Sequence, residues 1–72
     1  MNPTEIKKVQ DYLRRLFDND NIGIVKPRTS HNSIEVMVGG EFIGTIFRDE
    51  DEGEVSYALN MTILSEDLDE EV

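Results

Sequence analysis

The chain predicts an α+β fold, one N-terminal amphipathic helix packed on one face of a four-stranded antiparallel β-meander. Three observations carry this. Apolar residues near the start recur at a helical period, the remainder alternates at a period of two, and short turn signals separate the alternating stretches.

The helix is expected over Asn2 to Asp18. Asn2 suits the capping position, Pro3 the first helical residue, and Glu5, three residues after Asn2, can complete a capping box. Ile6, Val9, Leu13, Leu16 and Phe17 fall within one arc, with Lys7, Lys8, Asp11, Arg14 and Arg15 opposite. The run Asp18-Asn19-Asp20-Asn21 stops it, since such side chains compete for backbone hydrogen bonds.

Strands are expected at Ile22 to Lys26, ended by Pro27; at Ser33 to Val38, with Ile34, Val36 and Val38 on one face; and at Glu41 to Arg48, after a Gly39-Gly40 hairpin turn. The fourth, Val55 to Leu64, follows an acidic turn containing Gly53 and alternates for longest. Strict alternation in the third strand puts Phe42 and Ile46 on one face and Ile43 and Phe47 on the other. An aromatic residue and an isoleucine are then left on the face away from the helix. Leu13 and Leu59 are expected to be buried between helix and sheet. Residues 1–64 form the domain, and 65–72 an acidic, frayed tail, because Asp69, Glu70 and Glu71 would sit at the negative end of any helix there. Leu64, Leu68 and Val72 nevertheless share a helical spacing that could cover an exposed sheet face.

A domain of 72 residues buries only about 60% of its unfolded surface, and with no cysteine it has neither disulfides nor thiolate metal sites. Oligomerisation is the remaining reinforcement. The net charge is −9 and segregated: residues 1–28 carry six basic side chains against four acids, residues 29–72 only Arg48 against twelve. Such a field attracts cationic surfaces and repels phosphate backbones and anionic membranes. No signal-like start and no apolar run of about 20 residues is present, so a cytoplasmic location is expected.

No catalytic constellation emerges. His31 is the single histidine, with Ser30 and Ser33 too close along a loop to build a triad. Asp18, Asp20 and Gly23 mimic the opening of a calcium loop, but Ile22 and Thr29 occupy ligand positions. Asp49, Glu50, Asp51, Glu52 and Glu54 could gather a divalent ion weakly, although a solvated hairpin tip accounts for them more simply. Lys7, Lys8, Arg14 and Arg15 make a basic stripe in a helix-then-strands order like that of double-stranded-RNA-binding domains. Asp11 interrupts the stripe, and the basic final helix of those domains is missing. Asn60-Met61-Thr62 is a glycosylation sequon lying mid-strand, a chance match.

The helix segment Lys8 to Phe17 and the block Glu41-Phe42-Ile43-Gly44 through Arg48-Asp49-Glu50-Asp51-Glu52-Gly53-Glu54-Val55-Ser56-Tyr57 resemble a family of short alphaproteobacterial proteins known only as a domain of unknown function. The resemblance implies a small cytosolic bacterial protein and supplies no catalytic residue, metal or cofactor.

The expectation is therefore a non-enzymatic interaction module without cofactors. It presents Asp49, Glu50, Asp51, Glu52 and Glu54 to a basic protein partner and forms a homodimer through Phe42, Ile43, Ile46 and Phe47 or through an edge strand. The alternative is a regulator that responds weakly to divalent metal through the acidic hairpin, or associates with nucleic acid through the helix stripe.

Overall fold

A computed structural model describes residues 1–28 and 32–68; His31 and Val72 lie outside the described residues. The helix α1 spans Pro3–Phe17 and is followed by β1 (Ile22–Val25), β2 (Ser33–Val38), β3 (Glu41–Asp51) and β4 (Glu54–Met61), then a short 3-10 turn, Ser65–Asp67. The four strands form one antiparallel meander in the order β1-β2-β3-β4. The expected class and strand order are the ones observed.

Both ends of α1 are closed by local chemistry. Asn2 Oδ1 accepts the Glu5 N–H at 2.7 Å, and the Asn2 N–H donates to Glu5 Oε1 at 3.3 Å, completing the capping box. At the other end Asp18 turns left-handed (φ 51°), the Asn19 N–H reaches the Arg14 carbonyl at 2.9 Å, and the Asp18 N–H reaches that of Arg15 at 3.4 Å. Backbone groups of the last turn are thus satisfied by a Schellman-type closure.

Two tight turns set the sheet register. Gly39 and Gly40 both have positive φ, 58° and 82°, the combination required by a two-residue turn between Val38 and Glu41. Glu52 (φ 51°) and Gly53 (φ 84°) repeat the geometry between Asp51 and Glu54. The acidic run is consequently not a loop. Asp49, Glu50 and Asp51 extend β3, making it the longest strand, while β4 stops at Met61 rather than reaching Leu64.

The third strand also departs from strict alternation. The β2–β3 register shifts between Val36 and Met37, whose partners are Gly44 and Phe42, leaving Ile43 as the extra residue of a β-bulge. The bulge turns Ile43 and Ile46 toward the helix: Ile46 is 2% exposed, and Ile43 packs against the core. Phe42 and Phe47 stand exposed on the other face. The expected self-association set therefore divides, with Ile43 and Ile46 committed to the interior and only the two phenylalanines available outside. Next along the strand, Gly44 lies so close to β4 that a Cβ there would meet the Asn60 carbonyl oxygen at 2.5 Å.

The core consists of Leu13, Ile22, Ile34, Val36 and Ile46, flanked by Met1, Ile6, Val9, Ile24, Val38 and Ile43. It is displaced toward β1 and β2, because α1 lies against β1. Leu13 is buried as expected, but Leu59 is 39% exposed, and Leu16 and Phe17 at the end of the helical arc are more exposed still. Their apolar periodicity is real; the helix sits too far to one side for the fourth strand to share its cover. Among the described residues no helix is long and apolar enough to cross a membrane.

Candidate functional site

The off-centre helix leaves an apolar groove between itself and β4. At one end an open cleft of about 360 Å³ is lined by Glu5, Lys8, Tyr12, Ile46, Tyr57 and Leu59. At the other, a similar hollow lies among Phe17, Ile22, Val38, Ile43 and Met61. Leu13 and Leu59 line both, so the two form one trough along the helix. Its walls hold Tyr12, Phe17, Tyr57, Leu59 and Met61, all exposed. None of this was anticipated from the periodicity, which marks a side chain as apolar without saying whether a neighbour reaches it.

A polar clamp closes the hairpin end of the trough. Glu5 Oε2 accepts from Arg48 Nε at 2.7 Å and from the Tyr57 hydroxyl at 2.5 Å. Arg48 and Tyr57 face each other across β3 and β4, so the register delivers both to the helix start. These charge-assisted bonds favour the ionised carboxylate. The Tyr57 hydroxyl first, and Arg48 second, hold Glu5 down at about 2. The same bonds push the Tyr57 hydroxyl and the Arg48 guanidinium above their ordinary values, each chiefly through Glu5.

Beyond the clamp, the acidic residues divide by strand alternation. Glu50 lies on the helix side and reaches Arg48 Nη1 at 3.4 Å. Asp49, Asp51, Glu52 and Glu54 line a shallow hollow with Val55 and Ser56. All five carboxylates are exposed. Among the described residues no three carboxylate or imidazole groups converge on a point where they could hold a metal ion.

The basic stripe is largely engaged within the fold. Lys7 Nζ bonds Asp11 Oδ2 at 2.8 Å, which lowers the Asp11 carboxyl below its ordinary value. Arg14 Nε donates to the Ile22 carbonyl at 2.7 Å, and Arg15 lies over the Tyr12 ring at 5.7 Å. Gln10 Oε1 accepts the Ile24 N–H at 3.2 Å. Arg14 and Gln10 therefore act as a side-chain edging for β1, a role that residue type alone did not reveal.

A family model described as protein of unknown function (DUF3126) matches residues 5–67. The chain belongs to that family. The DUF3126 match opens at Glu5, the carboxylate of the clamp, and takes in the rest of α1, the whole sheet and the acidic hairpin. No curated protein and no solved structure matches the chain.

Proposed function

We propose that this DUF3126 protein is a non-enzymatic, cytoplasmic interaction module that self-associates and offers its acidic β3–β4 hairpin to a basic protein partner. The observation that carries the reading is the construction of that hairpin. Its carboxylates ride on an ordered two-stranded arm, anchored at its base by Arg48, Tyr57 and Glu5, so their spacing is preorganised before any partner arrives. The chain's segregated charge adds long-range steering toward a cation-rich surface. The metal-responsive alternative draws no support from the carboxylates' spread, nor the nucleic-acid alternative from a helix stripe in which Lys7, Arg14 and Arg15 are engaged elsewhere.

Titration with a lysine-rich peptide tests this. Binding should weaken steeply with salt and fall about tenfold in Asp51→Asn/Glu52→Gln, the loss expected for roughly 1.4 kcal/mol of electrostatic attraction. Peptide binding indifferent to that double substitution, or duplex RNA binding dependent on Lys8 and Arg15, would overturn it.

A further inference from the structure

The two edges of the sheet are finished differently. β1 is only four residues long, runs into Lys26-Pro27, and has its outward Ile24 amide and Ile22 carbonyl capped by Gln10 and Arg14. These are the usual devices that keep an edge from pairing. β4 has none of them. It is eight residues long without lysine, proline or bulge, every residue is exposed, and the described hydrogen bonds supply no side-chain partner to its outer edge. Because Asp51 and Glu54 close a two-residue turn, they form a hydrogen-bonded pair. Alternation then turns the amides and carbonyls of Val55, Tyr57, Leu59 and Met61 away from β3. Those same four residues carry the apolar side chains on the helix side.

The exposed area is large for the mass of the chain. A folded monomer of 8.2 kDa exposes about 4,500 Å², whereas this chain exposes 5792 Å², about 1,300 Å² more. Obligate dimers remove roughly 1,000 to 2,500 Å² from each chain.

We propose that the outer edge of β4 docks a second copy of this chain, strand antiparallel to strand, on a two-fold axis at Ala58. This specifies the self-association included in the function proposed above. Charge selects the orientation. Parallel pairing would bring two five-carboxylate hairpins together, whereas antiparallel pairing sets them at opposite ends, separated by roughly 25 Å of strand and so by several Debye lengths. It also carries each hairpin toward the end of the other copy's helix that bears Arg14 and Arg15. An axis at Ala58 keeps Val55 through Met61 paired while matching free backbone groups with free backbone groups. Tyr57 then lies across from Leu59 of the second copy, and Val55 across from Met61, extending the trough floor through both copies. The outer face contributes only Ser56, Ala58 and Asn60 to the seam, small enough to allow close approach.

The protein has no cysteine, so introduced thiols report the seam directly. The wild-type chain should sediment at twice its monomer mass at micromolar concentration, and Ala58→Lys at the monomer mass, because two like charges would face each other on the axis. Under oxidation Ala58→Cys should give a covalent dimer, since non-hydrogen-bonded pairs bring Cα atoms to about 4.5 Å, within disulfide range. Ser56→Cys and Asn60→Cys should each remain single alone and cross-link when mixed. Cross-linking of Ala58→Cys no greater than that of Thr45→Cys in the middle of the sheet, or efficient cross-linking through Phe42→Cys instead, overturns the seam. The lysine-rich peptide distinguishes the two proposals: a monomer that still binds it removes the β4 dimer alone, and a β4 dimer blind to it removes the acidic-surface reading alone.

Discussion

Glu5 holds two offices at once, as the third residue of the capping box and as acceptor for Arg48 and Tyr57. Its carboxyl titrates at about 2 when folded, against about 4.3 in an unfolded chain. A depressed carboxyl adds stability that is fully present above the unfolded value and lost as pH falls toward the folded one. Acid unfolding should therefore steepen between about pH 4.3 and 2, and Glu5→Gln should flatten that window while lowering stability at neutral pH, measured by urea midpoints across the range. Tyr57 works in the opposite sense: its raised hydroxyl contributes below about pH 10, and the contribution is lost as pH rises through its folded value. At Gly44 the constraint is steric. Gly44→Ala would press a methyl group into the Asn60 carbonyl and force β3 and β4 apart, a loss of about 1 to 3 kcal/mol by chemical denaturation.

At the scale of elements, the β3–β4 turn is suboptimal. Glu52 occupies a left-handed position that costs a side-chain-bearing residue about 1 kcal/mol, and it adds to the negative charge at the tip. Glu52→Asn creates the Asn-Gly pair favoured by this turn and should raise stability by about 0.5 to 1 kcal/mol, with an unchanged strand register by NMR. The helix, the Gly39-Gly40 turn and the order of the strands were legible in the sequence because each rests on local chemistry, such as capping by Asn2 and positive φ at paired glycines. The bulge at Ile43 was not, since period-two counting carries no mark of a residue that drops out of the ladder. The extension of β3 through Asp49 and Asp51 was hidden for a different reason: charge density imitates a loop, while the pairing of Arg48 with Tyr57 and Glu50 with Val55 depends on a turn two residues long. The meeting of Glu5 with Arg48 and Tyr57 joins positions far apart in the chain, and nothing local announces it.

Across the whole molecule, stability is divided unevenly. The tightly packed half lies under α1, so Leu13→Ala should cost about 2 to 5 kcal/mol. Leu59, beyond the helix, should cost far less when truncated in dilute solution, and more as concentration rises and β4 becomes occupied. Thermal unfolding of the wild-type chain should accordingly shift upward with protein concentration, by mass action on a folded dimer. A midpoint constant over a hundredfold dilution would place the chain among self-sufficient monomers and leave the outer edge of β4 without the second copy argued for it.

The clamp also bears on the order of events during folding. Tyr57 and Glu5 are separated by 52 positions, so their bond closes a loop spanning most of the chain, and only after β4 has joined β3. The capping box, by contrast, can form as soon as the first turn of α1 winds. The single carboxylate can thus be engaged by its own helix before the sheet reaches it, and the Tyr57 bond is expected to form late in folding. Tyr57→Phe should leave the refolding rate nearly unchanged and accelerate unfolding, visible as a shift confined to the unfolding arm of the chevron.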